Sequence, residues 1–198
     1  MALLSVWVLA AGYFGLQLMA FDSTPGARAM APQNWPVESA ILRRTGHMQL
    51  LMFVHPECTC SIASLEQLRT LASQLGSQLE THVVLWHRSV GANNRNWPKE
   101  SGGAAIVDDQ NGSEARRFGA KTSGQTLIYD EVGRLIYAGG LTVLRGEAGG
   151  EPVLRIVISR LRTRVREPYL ERAVFGCPIS RQSAAIPSGT YLWTRLLQ

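Results

Sequence analysis

Residues 50–60 read Leu50-Leu51-Met52-Phe53-Val54-His55-Pro56-Glu57-Cys58-Thr59-Cys60, an apolar run followed by a turn that carries two cysteines. A continuous apolar run of this length is typical of a strand that is buried on both faces of a sheet. After Cys60, apolar residues recur at helical spacing as far as Leu75, and Gly76 is a typical C-terminal stop. The cysteines are therefore predicted to lie at a strand-to-helix turn.

Apolar runs and turn residues predict the elements on either side of this turn. The predicted elements are strands at 82–86 and 104–108, a short helix at 114–118, an antiparallel hairpin formed by 126–129 and 134–138, and an amphipathic helix from Pro152. The first strand, its helix and the strand at 82–86 have the order of a βαβ unit, which makes two strands parallel. The sequence therefore predicts an α/β fold with a central mixed sheet flanked by helices.

The N-terminal segment 1–21 contains no charged side chain and is apolar almost throughout. About 20 such residues span a bilayer as a helix. Because the segment lacks the basic start of a typical secretory signal, an uncleaved anchor is favoured over a cleaved signal. A buried helix of a soluble protein is the third alternative. In the first two cases, the rest of the chain crosses the membrane.

The chain of 198 residues has room for one ordinary domain with extensions. Prolines and small residues after the apolar segment are typical of a linker. Three prolines after the last predicted helix disfavour further long helices. The predicted organisation is an anchor or signal at 1–21, a linker at 22–36, a domain at 37–166 and a C-terminal tail at 167–198.

The basic charge is concentrated at one end of the chain. Residues 151–198 hold eight arginines and three glutamates, and this difference accounts for the whole formal charge of +5. No aromatic stacking platform lies among these arginines, so we expect a solvated helix face and no nucleic-acid partner. The sequence also lacks the glycine patterns of nucleotide-binding loops and the nucleophile elbow of serine hydrolases.

A βαβ half followed by a ββα half, with cysteines after the first central strand, resembles the thioredoxin fold. The sequence resembles the membrane-tethered, TlpA-like kind of thioredoxin-like protein. More narrowly, the segments 53–64, 124–140 and 175–178 resemble the bacterial RedB-type thioredoxin-domain group. The fold-level resemblance covers residues 35–165. It implies a thiol-disulfide oxidoreductase without a cofactor, whose partners are a thiol- or disulfide-bearing protein substrate and a second redox protein. It also implies a domain that faces the periplasm from the bacterial inner membrane, or one that is exported after signal cleavage.

Two departures from the thioredoxin pattern bear on the expected activity. Only Thr59 separates Cys58 from Cys60, whereas thioredoxins have two residues between their cysteines. The family's cis proline before the strand that faces the site is replaced by Gln125, between Gly124 and Thr126. These three residues are expected to shape the substrate groove. The missing proline affects both substrate handling and the exclusion of metals.

Cys58 is the candidate nucleophile because it comes first in the chain, nearest the exposed turn, where free N–H groups at a helix start stabilise a thiolate. Cys60 is the candidate resolving thiol. A disulfide between them closes a very short loop, so strain favours an oxidising or isomerising couple. His55, if protonated, supports the Cys58 thiolate and Glu57 opposes it. Pro56 precedes the pair and Thr59 lies between the two cysteines, and both are expected to modulate its activity.

Other functions remain open for the same residues. His55, Cys58 and Cys60 offer ligands for copper or zinc in a metallochaperone-like module, with His87 or Cys177 completing the shell. A thiol peroxidase is a lesser alternative. It is also possible to interpret Cys58 and Cys60 as buried core thiols without a chemical role. Cys177 is a third redox cysteine, an intermolecular partner or a tail residue without a role. Arg145 belongs to a glycine-rich loop that is expected to border the site.

Overall fold

The structure is a computed structural model that describes residues 2–56, 58–87, 103–147, 151–163 and 168–179. The helices are α1 (Ala2–Ser23), α2 (Cys60–Leu75), α3 (Ser113–Arg117) and α4 (Glu151–Thr163), with a 3-10 turn at Gly76–Gln78. The strands are β1 (Met48–Val54), β2 (Leu79–His87), β3 (Ala105–Gln110), β4 (Gln125–Tyr129), β5 (Leu135–Gly139) and β6 (Leu170–Glu171).

The six strands form one sheet in the order β3-β2-β1-β4-β5-β6. β1 pairs in parallel with β2, which pairs in parallel with β3. β4 is antiparallel to both β1 and β5, and β6 adds a short parallel edge to β5. The predicted mixed α/β sheet is confirmed. β1 lies in its middle with all seven residues buried, as its apolar run predicts.

Each face of the sheet carries its own apolar core. On one face, α2 and α4 pack on alternate residues of β1, including Leu50, Met52 and Val54. On the other face, Leu51 and Phe53 of β1 contact a cluster built around Phe118. The alternation fixes which way β1 points its side chains, and the strand therefore delivers the turn at 55–59 to the sheet edge in one defined orientation.

Helix α1 is long and apolar enough to cross a membrane. An 18-residue window within Leu3–Ser23 has a mean hydropathy of 1.7, and none of that window is buried against the domain. The helix therefore takes no part in either core, which fits an anchor or a signal by length and composition.

The segment predicted as a linker lies along the domain. The amides of Gly26 and Met30 donate hydrogen bonds to the carbonyls of Val174 (2.8 Å) and Gly119 (3.3 Å), and the Tyr129 hydroxyl donates to Pro32 (3.1 Å). Asn34 forms an isolated bridge with Arg134. Prolines and glycine leave this segment extended, and extended backbone finds its hydrogen-bond partners on the neighbouring loops.

Part of the predicted C-terminal tail also joins the domain. Residues 168–179 supply β6 and then run along the loop at 121–124, with Val174 buried on the way and Ile179 buried in the Phe118 cluster. The amide of Gly140 donates a hydrogen bond to the carbonyl of Ala173 at 3.1 Å. Prolines forbid a long helix here but allow an edge strand followed by extended chain, which is the form that this segment takes.

Candidate functional site: three cysteines at the start of α2

The turn after β1 places Cys58 and Cys60 at the start of α2, as predicted. The Cys58 amide donates to the His55 carbonyl at 2.9 Å, and the Ser61 amide donates to the Cys58 carbonyl at 3.0 Å. Thr59 already has helical angles, with φ −60° and ψ −30°, and Cys60 is the first residue of the helix. The CxC segment is therefore a tight helical turn.

Cys177 is held beside this turn by the segment that follows β6. The Ser123 amide donates to the Cys177 carbonyl at 2.7 Å, and the Ile179 amide donates to the Lys121 carbonyl at 2.8 Å. The backbones of Gly176 and Ser123 approach so closely that a β-carbon at Gly176 would overlap the Ser123 carbonyl oxygen. A glycine is therefore needed next to Cys177 for the cysteine to reach the site.

The three cysteine sulfurs form one cluster, within 4.8 Å of one another. All three are free thiols. Cys58 is only 3% exposed, whereas Cys60 and Cys177 are half-buried. We expected Cys58 to lie nearest the exposed turn, and instead it is the most enclosed of the three, because the other two cysteines flank it.

Cys58 is the thiol that the surroundings favour as a thiolate. Burial opposes its ionisation, but hydrogen bonds from the Ser61 hydroxyl, from the backbone and thiol of Cys177, and from the Ser123 hydroxyl outweigh it. Together they hold the pKa of Cys58 below its ordinary value. The two hydroxyl oxygens lie 2.7 Å apart, and because each carries a single proton, they do not bond to each other when both donate to Cys58. The structure thus builds a small polar pocket around one sulfur.

The other two thiols are shifted in the opposite direction. Burial, followed by the charge of Cys58 and a hydrogen bond to it, raises the pKa of Cys60. Burial, followed by a hydrogen bond to Cys58 and the charges of Cys58 and Cys60, raises the pKa of Cys177 to about 11. Both therefore stay protonated while Cys58 ionises, because like charges at this distance disfavour each other.

Arg145 is the cation of the site, in the loop where the sequence suggested a border residue. Its charge acts against the upward pKa shifts of Cys60 and Cys177. Its guanidinium donates to the carbonyls of Phe21 (2.9 Å), Thr24 (3.1 Å) and Gly176, and lies 4.6 Å from the centroid of the Phe21 ring. One side chain thus connects the end of α1 to the residue before Cys177.

The residues expected to modulate the cysteines lie around the turn. His55 is half-buried with its ring 5.1 Å from that of Trp86, and its amide donates to the Ser123 hydroxyl at 2.8 Å. Pro56 is half-buried in the turn and Thr59 is exposed. Glu57, expected to oppose the thiolate, lies outside the described residues.

Gly124, Gln125 and Thr126 follow Ser123 on the other side of the cluster. Gly124 has φ +90°, and a β-carbon there would lie 2.9 Å from the Ser64 hydroxyl, so the turn requires glycine. Gln125 is 2% exposed and pairs with Phe53 of β1. Its side-chain oxygen has no hydrogen-bond partner within the part of the chain that the structure describes. Thr126 is fully buried, and its hydroxyl donates to the Gly124 carbonyl at 3.3 Å.

The metal-ligating set suggested by the sequence is only partly brought together. Within the described ranges, the side chains placed to share one ion are Cys58, Cys60 and Cys177, and His55 does not belong to that group. The backbone of His87 ends β2, but its side chain is outside the description. The sequence suggested Cys177 only as a completing ligand because nothing local ties residue 177 to residue 58.

Sequence reasoning did not single out Ser61 and Ser123, the hydroxyls that support Cys58. Ser61 carries a usable signal, since a hydroxyl three residues after a cysteine at a helix start can reach back to it, as in a cap. Ser123 carries none, because it meets Cys58 only through the pairing of β4 with β1. A hydroxyl placed by sheet topology cannot be read from a local pattern.

The opposed pKa shifts predict a stepwise titration of the reduced, metal-free protein. Because the pKa of Cys58 is lowered, we expect the first thiolate to appear below the ordinary pKa of a cysteine. The other two should ionise above it, with Cys177 last. Thiolate absorbance in the ultraviolet measures this directly and does not depend on access to the buried sulfur. The first step should be missing in Cys58→Ser, and its presence there would contradict the assignment.

Comparisons with known proteins support the fold. Neither a family model nor a curated protein matches the chain. Among solved structures, a hypothetical protein of Sinorhizobium meliloti 1021 superposes with a TM-score of 0.55 at 19% identity, over 79% of this chain and 93% of that one. A conserved protein of Geobacillus kaustophilus gives 0.55 at 16%, over 82% and 95%. A protein from Neisseria meningitidis assigned as a thioredoxin gives 0.50 at 13%, over 73% and 95%. The chain thus has a thioredoxin-like fold, preceded by an apolar helix.

Proposed function

We propose that the protein is a thiol-disulfide oxidoreductase that acts through Cys58 and Cys60, with Cys177 as a third thiol. The observation that carries the proposal is the cluster of three sulfurs within 4.8 Å at the start of α2. Donors from Ser61 and Ser123 favour the thiolate on Cys58 alone. A single activated thiolate beside protonated thiols is the arrangement that exchange requires.

The reaction needs only the cysteines of the chain and a substrate disulfide, without a cofactor. The Cys58 thiolate attacks one substrate sulfur, so that a Cys58–substrate disulfide forms and the first substrate thiolate leaves. A neighbouring thiol passes its proton to the first substrate thiolate, directly or through solvent, and attacks the Cys58 sulfur, which releases the second substrate thiolate. The substrate has then gained two electrons, and the protein holds an internal disulfide. The reverse sequence oxidises a dithiol.

Two thiols flank Cys58, and both are placed to resolve the mixed disulfide. Cys60 is nearest in sequence and hydrogen-bonds to the Cys58 sulfur, but drawing two sulfurs that are two residues apart on a helical turn to bonding distance strains that turn. Cys177 approaches from a separate segment and donates its backbone and thiol hydrogen bonds to Cys58. A bond to Cys177 therefore leaves α2 undisturbed, whereas a bond to Cys60 requires the first turn to unwind locally.

The enclosure of Cys58 sets a requirement on the substrate. Because the residue is 3% exposed, a protein disulfide reaches its sulfur only after a local opening of the turn at 55–59 or of the segment at 176–178. Cys60 and Cys177 border the approach. This favours a flexible substrate loop over a rigid surface.

The proposal also includes the narrower family of the protein and its location in the cell. We place the protein among TlpA-like, RedB-type thioredoxin-domain proteins, anchored in the bacterial inner membrane by α1 with its domain in the periplasm. The length and hydropathy of α1 support an anchor, and a compartment that permits disulfides suits the three thiols. The thioredoxin named among the solved structures is consistent with the chemistry. The partners are then a thiol- or disulfide-bearing protein and a redox protein that regenerates the site.

Disulfide mapping of the full chain in detergent micelles tests the proposal. The reduced, metal-free protein is equilibrated with glutathione buffers of increasing oxidised fraction, and its cysteine pairs are identified by mass spectrometry. We expect one reversible internal disulfide that contains Cys58, and an accumulated Cys58–glutathione adduct when Cys60 and Cys177 are both serine. Thiols that never pair would overturn the proposal. Rapid oxidation by hydrogen peroxide but not by glutathione disulfide would indicate a thiol peroxidase instead of a thiol-disulfide oxidoreductase.

A further inference from the structure

The three cysteines offer a second chemistry when all of them are reduced. Thiolates are soft ligands that select Cu(I), Zn²⁺ and iron–sulfur clusters. We propose that the reduced protein binds one Cu(I) ion through Cys58, Cys60 and Cys177. This goes beyond disulfide exchange and does not rest on it, because it requires only that three reduced sulfurs meet.

The number of ligands favours Cu(I) over the other soft-metal centres. Structural zinc is held by four ligands, and iron–sulfur clusters are usually held by four cysteines. Across the described ranges, the group that can share an ion contains three cysteines and no fourth His, Cys, Asp or Glu. Cu(I) accepts three thiolates in a trigonal plane and needs no further ligand, whereas zinc on three cysteines would need a water as its fourth ligand.

The spacing of the sulfurs suits such a centre. A metal–thiolate bond of about 2.3 Å, the value for zinc, places three sulfurs roughly 4 Å apart around a trigonal ion. The cysteine sulfurs lie within 4.8 Å of one another, so small side-chain rotations bring them to that distance. No backbone rearrangement is required.

The backbone on both sides of the cluster is already fixed. The Cys58 amide is bound to the His55 carbonyl, and the Cys177 carbonyl accepts from the Ser123 amide. Thr122 and Pro178 form a bridge directly beyond Cys177. Ligands that are held before the ion arrives lose little freedom on binding, and this raises affinity.

Arg145 supplies charge compensation. Three thiolates and one Cu(I) carry a net double negative charge, which a half-buried site holds only with a cation nearby. Arg145 interacts electrostatically with Cys60 and Cys177, and its guanidinium is held by the carbonyls of Phe21 and Gly176. It is therefore a positioned outer-shell cation and not a ligand.

Binding and oxidation exclude each other. Uptake of Cu(I) replaces the thiol protons, which pass to solvent, and changes no oxidation state. Formation of one internal disulfide removes two electrons and two of the three ligands. The metal site therefore exists only in the reduced protein. The amount of Cu(I) that the protein binds indicates how much of it is reduced.

A competition titration tests this on the full chain in detergent micelles. Reduced, metal-free protein is titrated anaerobically with Cu(I) against the chromophoric chelator bicinchoninate. We expect one equivalent to bind, with affinity falling at least about 10- to 100-fold in Cys177→Ser, since even outer-shell losses reach that range. Arg145→Gln should weaken binding by about 10-fold. The matched control is His47→Ala, which removes a half-buried imidazole at the end of β1 opposite the cysteine turn, where its ring contacts the Ser77 carbonyl, and should leave affinity unchanged.

Thiol protection in the unaltered chain keeps the proposal testable if a variant fails to fold. Bound Cu(I) should protect all three cysteines from iodoacetamide, as read by mass spectrometry. Protection of Cys58 and Cys60 alone, undiminished affinity in Cys177→Ser, or tighter retention of Zn²⁺ than of Cu(I) would overturn the assignment. A failure here leaves the exchange proposal standing, because disulfide mapping uses metal-free protein.

Discussion

Replacing Cys58 with serine should reduce the rate of glutathione-disulfide exchange by at least about 100-fold, to a level near that of the buffer. A serine hydroxyl does not ionise in this pH range, and Cys60 and Cys177 both have raised pKa values in the intact site. Burial, the largest cause of both shifts, persists without Cys58, so the remaining thiols stay mostly protonated and react slowly. The measurement is the initial rate at pH 7 for the reduced, metal-free chain in micelles.

Cys60→Ser is the matched control for this prediction. It removes one sulfur from the same cluster but leaves the donors to Cys58 in place. The first attack should keep its rate, while the mixed disulfide lasts longer because one resolving thiol is missing. If Cys60→Ser abolishes the first attack and Cys58→Ser does not, the roles of the two cysteines are reversed.

Replacing Phe118 with alanine should destabilise the domain by about 3–5 kcal/mol, in the range for buried aromatic residues. The Phe118 ring is fully buried and lies 5.1, 5.8 and 5.9 Å from the ring centroids of Trp35, Phe53 and Tyr129. Its removal leaves a cavity beneath β1, the strand that delivers the cysteine turn. Urea unfolding followed by tryptophan fluorescence measures the loss.

Val132→Ala is the control for that substitution. Val132 is 62% exposed in the turn between β4 and β5, so its truncation should change the free energy of unfolding by no more than about 0.5 kcal/mol. Equal effects of the two substitutions would mean that the Phe118 cluster is not a core. If Phe118→Ala lowers the free energy of unfolding but leaves the thiolate titration unchanged, the cysteine turn keeps its structure even when the core beneath β1 is weakened.

The strand-turn-helix that carries Cys58 and Cys60 could be predicted because its signals are local. A run of apolar residues from Leu50 to Val54, helical spacing after Cys60 and Gly76 as a stop all lie within 27 residues of one another. The hairpin of β4 and β5 was predictable for the same reason, since its turn residues separate two apolar runs. Local patterns also led to the mixed sheet that the structure confirms.

The role of the third thiol, Cys177, could not be decided from the sequence. Cys177 reaches the site through β6, a strand of two residues, and through a close approach of Gly176 to Ser123. A strand that short has no alternation to detect, and a contact between residues 123 and 177 has no sequence period. The enclosure of Cys58 was missed for the same reason, because the segments that cover it come from distant parts of the chain.

The contact between Arg145 and the end of α1 affects where partner proteins can reach the three cysteines. In the proposed membrane-anchored form, hydrogen bonds from the Arg145 guanidinium to the carbonyls of Phe21 and Thr24 would keep the domain close to the headgroups instead of letting it swing on a free tether. The three cysteine sulfurs would then lie at a nearly constant distance from the lipid headgroups. A protein confined to the same membrane meets them by lateral diffusion at high effective concentration, provided that its own cysteines sit at a matching height. Freely diffusing thiols have no such advantage.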